Sequence, residues 1–301
     1  MTILSFLPNS LLQVLTIFMS IMIEALPFIF LGTLLSGFLE VFITPERMSN
    51  YLPKHPLGQI MFGLLAAFFF PSCECGIVPI VHKLLEKKLP SHAAIPFMMT
   101  APVINPIVLF ATYSAFGYSW TFVILRLVGA SLVAFCMGLA LVYLIKPDIL
   151  KDEPPLKKHH HHEAKTVRAK LLFVSRHAID DFFNTGSYLV GGSLAAAAMQ
   201  VYLPTTWLRQ VTQTPSLAIL AMMGLAFTLS LCSEADAFIG ASLLGSFGIT
   251  PVLAFLLFGP LLDLKNLLMM RKVFKPTFIW QFIALSSSLV LLFSLILEVL
   301  L

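Results

Sequence analysis

Two short runs in this chain combine thiols with carboxylates. Cys73-Glu74-Cys75 places two sulfurs and one carboxylate within three residues, and Cys232 is followed by Glu234 and Asp236. Thiolates are soft ligands suited to zinc, copper(I) and other thiophilic ions. On a continuous helix, side chains at i and i+2 point apart. At a helix break they need not, and Pro71 and Gly76 bracket the first cluster. Cysteine is also a common small core residue, so the C-x-C run gains weight from Cys232 at a matching place. The remaining thiol, Cys136 in AFCMGLAL, has no polar company and reads as packing. Two further runs, 100–106 (TAPVINP) with Asn105 and 258–266 (FGPLLDLKN) with Asp263, put an amide and a carboxylate beside prolines. A different site is offered by His159, His160, His161 and His162, since adjacent histidines on a loop can capture zinc, nickel or copper.

The surroundings of these residues are membrane material. The composition is 58% hydrophobic and 11% charged, against about 45–50% and about 25% in soluble domains, which excludes a water-soluble enzyme. A bilayer core of about 30 Å takes roughly 20 apolar residues in a helix. Charge-free windows run over 1–23, 55–73, 89–125, 127–145, 182–208, 210–233, 237–262 and 276–297. They predict an all-α polytopic membrane protein with about eight hydrophobic segments. The N-terminal segment has no basic stretch before it and reads as a retained helix. A carboxylate at the centre of a membrane helix costs about 2.5–3.5 kcal/mol on insertion scales. Glu74, Glu234, Asp236 and Asp263 therefore mark ion paths, proton relays or substrate sites, or else pair with Lys265, Arg126 or a backbone amide.

The exception is a polar segment over 146–176, which holds eight basic residues, two adjacent prolines and the four histidines. Basic loops stay cytoplasmic. The segment divides the chain into a first transmembrane repeat, 1–145, and a second, 177–301. From Cys73 to Pro102 the chain advances by much the same distance as from Cys232 to Pro260, and Asn105 has its counterpart in Asp263. Gly32 and Leu39-Glu40-Val41-Phe42 align likewise with Gly192 and Met199-Gln200-Val201-Tyr202. The loop signs oppose each other. Residues 82–92 are basic where their counterpart around Ser246 is neutral, and 271–275 are basic where Phe116-Gly117 are neutral. This predicts inverted repeats, with 57–88 and 216–246 as re-entrant hairpins and both termini outside. The rival arrangement makes each hairpin a full crossing and the repeats parallel, which leaves Arg271, Lys272 and Lys275 outside.

The runs FFFPSCECGIVPIVHKLLEKKLP, TAPVINPIV and SLCSEADAFIGAS resemble the YraQ/ArsP-type permeases of bacteria, over about residues 10 to 300 without the linker. The resemblance implies a multi-pass plasma-membrane permease for thiophilic solutes, one branch of which exports trivalent organoarsenicals. By motif position it implies roles for Cys73, Cys75, Asn105, Cys232 and Glu234. It also implies a possible second membrane subunit. The histidine tract lies outside the family pattern and favours a divalent metal over an arsenical.

The resulting expectation is a secondary permease in a lipid bilayer that moves a metal or metalloid such as zinc or a trivalent arsenical. Its candidate substrate residues are Cys73, Glu74, Cys75, Asn105, Cys232, Glu234, Asp236 and Asp263, and its candidate metal-capture residues are His159 to His162. No G-x-x-x-x-G-K-[ST] run occurs, so an ion gradient or an outside partner supplies the driving force. No resident cofactor and no nucleic acid are expected. Two alternatives stay open. One is an intramembrane thiol-redox enzyme using Cys73 and Cys75, although redox pairs favour C-x-x-C. The other is a metal-responsive membrane subunit reading metal through its histidines.

Overall fold

A computed structural model describes residues 9–42, 52–70, 74–145, 148–151, 167–202 and 214–300. Among the described residues the secondary structure is helical, apart from one antiparallel bridge between Leu150 and Phe274. The first half contains α1 (Asn9–Phe42), α2 (Pro56–Phe68), α3 (Glu74–Glu86), α4 (Ser91–Ile104), α5 (Pro106–Ala115) and α6 (Trp120–Tyr143). The second contains α7 (Val167–Tyr202), α8 (Pro215–Leu229), α9 (Ser233–Phe247), α10 (Ile249–Leu261), α11 (Leu264–Val273) and α12 (Pro276–Leu300). The order long, short, short, short, short, long recurs. Contacts recur with it: α2 packs on α4 as α8 packs on α10, and α4 packs on α6 as α10 packs on α12. Across the halves, α3 meets α11 as α9 meets α5, while α1–α7, α4–α10 and α6–α12 join equivalent helices.

Among the described residues five stretches are long and apolar enough to cross a membrane: Ser10–Pro27, Ser91–Ala115, Trp120–Tyr143, Ile249–Val273 and Pro276–Leu300. The chain is an all-α polytopic membrane protein. Two of these stretches are broken helices, α4 with α5 and α10 with α11. By contrast α2 and α3 have 13 residues each, about 20 Å of rise against a hydrocarbon core of about 30 Å. They form a hairpin that returns to the side it enters from. The start of α2 meets the start of α4, where Gln59 and His92 are hydrogen-bonded at 2.6 Å. Beyond the end of α2, the Phe70 ring lies 5.4 Å from that of Phe97, further along α4. Thus α2 and α4 run the same way, and α3 between them runs back. The second hairpin, α8 and α9, follows suit: past the end of α8, Ser230 Oγ accepts a hydrogen bond from Leu264 N–H, just past the end of α10.

Lipid tails are as apolar as the side chains, so helices in a membrane associate through close packing at small residues. Gly63 on α2 is such a point: a Cβ there would overlap the Ala93 carbonyl oxygen. Gly63→Ala is expected to destabilise the fold by about 1–3 kcal/mol, the usual cost of overpacking. Thermal unfolding in detergent checks this against Gly224→Ala, where a Cβ meets nothing within 4 Å.

The few described residues at the start of the linker are held in place. Lys151 N–H donates to Val273 O at 3.0 Å, Lys275 N–H to Ile149 O at 2.9 Å, and Lys275 pairs with Asp148. Residues 148–151 and 273–275 thus lie on one face of the molecule. The histidine tract itself, 159–162, lies outside the described residues, as do Pro71, Ser72 and Cys73.

Candidate functional site

Each half breaks its helices twice, and local chemistry explains each described break. Asn105 is extended (φ −66°, ψ 152°) between α4 and α5. Pro106 behind it has no N–H to continue the ladder. The Asn105 Oδ1 accepts the Val108 N–H at 2.9 Å and its Nδ2 donates to Ala101 O at 3.1 Å, so one side chain caps both helix ends. Asp263 does the same for α11, its Oδ1 accepting the Asn266 N–H at 2.6 Å. Such caps satisfy helix-end donors that would otherwise be orphaned. Ser230 ends α8 in the left-handed conformation (φ 47°, ψ 47°), and Cys232 then sits at the N-cap of α9. The breaks anticipated at 100–106, 230–236 and 258–266 are all present, and the one anticipated around 71–76 falls largely on residues outside those described.

The breaks from the two halves meet in the interior. Glu74, at the first residue of α3, is fully buried, with Lys265 Nζ 3.7 Å from its Oε1. The same ammonium is 3.6 Å from Asp263 Oδ2 and is only 3% exposed. Arg126 on α6 is also fully buried. Its Nη1 donates to Thr112 Oγ1 on α5 at 2.8 Å, and its Nη2 donates to the Ser233 carbonyl at the start of α9 at 3.2 Å. Asp236, 1% exposed, lies against Gly259 of α10, where a Cβ would come within 2.6 Å of its Oδ2. A Cβ at position 259 would force that carboxylate to shift. Asp236 is in electrostatic range of Arg126, Glu74, Lys265 and Asp263, and Glu74 is in range of Glu234. Four carboxylates therefore share one interior region with two permanent or near-permanent cations. With every group ionised the region carries an excess of negative charge.

Several of these acceptors take no hydrogen bond from the described residues: both oxygens of Glu74, and Oδ2 of Asp236 and of Asp263. A buried charge costs heavily unless it is paired and hydrogen-bonded.

The anticipated site residues divide accordingly. Glu74, Asp236, Asp263 and the partly buried Glu234 come together, and Asn105 occupies the matching break of the other half. Cys232 is buried at the head of α9, two positions before Glu234. Cys73 and the side chain of Cys75 lie outside what is described, flanking Glu74 in the chain. Cys136 is half-buried on α6, in keeping with a packing role. Among the described residues no three His, Cys, Asp or Glu side chains are grouped so as to hold a metal ion. Sequence reasoning treated Arg126 and Lys265 as pairing partners and assigned them no place in the site. The available signal was Arg126 itself, the one charge between the windows 89–125 and 127–145.

Comparison with known proteins agrees with this architecture. A family profile described as "Predicted permease" (ArsP_1) matches residues 10–299. The chain is 54% identical over 299 residues, 99% of both chains, to a Streptococcus mutans protein named "Putative two-component membrane permease complex subunit". It is 46% identical to the UPF0718 protein YcgR of Bacillus subtilis, covering 96% of this chain and 98% of that one. It is 25% identical to the UPF0718 protein YraQ of Escherichia coli, covering 83% of this chain and 70% of that one. No solved structure matches the chain. With twelve helices among the described residues in two similar halves, interior charges at the helix breaks and a match over nearly its whole length, the chain belongs to the ArsP-type family of membrane permeases.

Proposed function

We propose that this permease moves a thiophilic metal or metalloid solute, such as zinc or a trivalent arsenical, through the region where the helix breaks of the two halves meet. The observation that carries the reading is the convergence of Glu74 and Asp263 on one buried lysine from opposite halves. Interrupted helices with buried charges at pseudo-symmetric positions are the usual construction of a secondary-transporter site. Cys73 and Cys75 flank Glu74, and Cys232 heads α9 near Glu234. In this reading the thiols bind the solute and the carboxylates balance its charge. His159 to His162 would collect metal at the cytoplasmic face. The name of the Streptococcus mutans relative supports a second membrane subunit as partner.

The experiment is uptake of zinc and of a trivalent arsenical into proteoliposomes containing the purified chain, with and without a pH gradient. Uptake of either solute above protein-free vesicles supports the reading. Vesicles that take up neither refute it.

Alternating access also requires the halves to be inverted. Three crossings per half, with the short hairpins re-entrant, give that arrangement, and the joint face of 148–151 and 273–275 supports a cytoplasmic assignment for both loops. Single cysteines at Ser246 and Lys272 in a cysteine-free chain are expected to react with a membrane-impermeant maleimide from opposite sides. Labelling of both from one side removes the inverted arrangement.

A further inference from the structure

The similarity of the halves sets α5 against both α6 and α9, and α11 against both α12 and α3. These two equivalent places are filled differently. Counting from the helix starts, Arg126, Thr112, Ser233 and Asp236 of the first place correspond to Phe282, Met270, Glu74 and Ile77 of the second. Phe282, Met270 and Ile77 are buried, so this packing stands with apolar side chains at all but one of these positions. The polar set at the first place is an addition that the packing does not demand.

Holding the fold uses only part of that set. Arg126 Nη1 donates to Thr112 and Nη2 to the Ser233 carbonyl. The Arg126 Nε–H, the Ser233 hydroxyl and Asp236 Oδ2 are buried and have no hydrogen-bond partner among the described residues. Ser233 and Asp236 are three positions apart on α9 and so lie on one face. Arg126 is the opposing charge that acts on Asp236 most strongly, yet neither its Nε nor Asp236 Oδ2 is satisfied by the other. Two donors and one acceptor thus stand together at the first turn of α9, beside the buried Cys232. Buried polar groups are hydrogen-bonded as a rule, and the exceptions call for a partner from outside, such as water, an ion or a ligand.

We propose that Arg126, Ser233 and Asp236 form a subsite for a hydroxyl group of the cargo, so that the site takes a neutral trivalent metalloid hydroxide in preference to a bare divalent cation. The inference rests on the soft-solute reading above and narrows it. The selection follows from charge and hydrogen bonding. The guanidinium repels a metal cation, and Asp236 repels an anion. A hydroxyl both accepts and donates, so it takes a hydrogen bond from Arg126 Nε or Ser233 Oγ and gives one to Asp236 Oδ2. A bare metal ion accepts nothing from the two donors, and a fully ionised oxyanion has no proton for Oδ2. Arsenous acid, uncharged at neutral pH, carries its hydroxyls on a thiophilic centre and suits Cys232 and this subsite together.

The test follows the unfolding midpoint of the full chain in detergent during titration with sodium arsenite or zinc chloride, since a ligand of the folded state raises the midpoint by mass action. Ser233→Ala removes only an oxygen without a partner among the described residues, so its ligand-free midpoint should stay native. It is expected to weaken arsenite binding by about fivefold or more, as the loss of one hydrogen bond does, and to leave zinc affinity unchanged. If Ser233→Ala does not fold, Arg126→Lys keeps the charge, removes the Nε–H and gives the same comparison. Native arsenite affinity in the variant, the result for a place filled by ordered water alone, overturns the proposal and leaves the soft-solute reading intact. Equal losses for arsenite and zinc overturn it as well, because they report a disturbed site. A native chain that binds zinc and not arsenite overturns it while keeping the metal form of that reading. A native chain that binds neither removes the reading and the proposal together.

Discussion

Arg126→Met is expected to destabilise the protein by about 3–5 kcal/mol, the cost of removing one partner from a buried charge set. The argument starts from burial. Arg126 has no exposed surface and joins three elements, donating to Thr112 on α5 and to the Ser233 carbonyl on α9 from its own place on α6. The second of these bonds ties the first half to the second at a helix break. Its loss removes that tie and takes from Asp236, 1% exposed, the opposing charge that acts on it most strongly. Methionine fills the volume, so the effect reads charge and hydrogen bonding more than a cavity. A drop in unfolding temperature in detergent, or loss of folded yield, measures it. The double variant Arg126→Met/Asp236→Asn separates causes, since neutralising the stranded carboxylate should recover a substantial part of the loss. A single variant as stable as the native chain would mean that Arg126 does not hold the break.

The helix breaks were legible in the sequence because each is written in local chemistry. Pro106 lacks a donor, Asn105 and Asp263 are capping residues, and Ser230 to Asp236 interrupts an apolar run with polar side chains. The repeat was legible for the same reason, since capping residues recur at near-equal spacing. The re-entrant hairpin of α2 and α3 was legible in the opposed signs of the equivalent loops, which require an odd number of crossings in each half. What the sequence did not disclose was the pairing. Lys265 meets Glu74, and Arg126 meets Ser233, only because α11 packs on α3 and α9 packs on α5, contacts between segments far apart in the chain. A lone charge in an apolar window shows that a partner must exist, not which partner it is. The asymmetry of the halves was equally hidden. Counting from the helix starts, Arg126 and Thr112 of the first half correspond to Phe282 and Met270 of the second, both buried. One half thus supplies an apolar pair where the other supplies a guanidinium and a hydroxyl. The metal-capture reading of His159 to His162 and the thiol of Cys73 fall outside the described residues, so the architecture adds nothing to them.

Cys73→Ser, Cys75→Ser and Cys232→Ser are each expected to lower transport of a thiophilic solute by at least about tenfold, or about 1.4 kcal/mol, while Cys136→Ser leaves it unchanged. Serine keeps the size of the side chain nearly constant and replaces a soft ligand with a hard, weakly acidic hydroxyl. Packing is therefore little disturbed, and a loss of transport reports ligation. The control is well placed, because Cys136 is half-buried on α6, away from any break in its helix. Cys232 is the most informative of the three. It lies buried at the N-cap of α9, where its carbonyl accepts the Asp236 N–H at 2.9 Å. That bond belongs to the backbone and survives the substitution, so the helix break stays intact while the sulfur is removed. Thiolate ligation also releases protons, because the sulfur must be deprotonated to bind. Transport through thiols should therefore weaken as the medium is acidified, and the serine variants should lose that dependence together with their activity. Membrane vesicles loaded with zinc or a trivalent arsenical and sampled over a series of pH values show both effects. Four serine variants with native transport would remove the thiols from the mechanism and leave Glu74, Asp236 and Asp263 to carry the solute alone. Those carboxylates form no metal centre among the described residues, so that result would also turn the search toward cargo other than a tightly ligated metal.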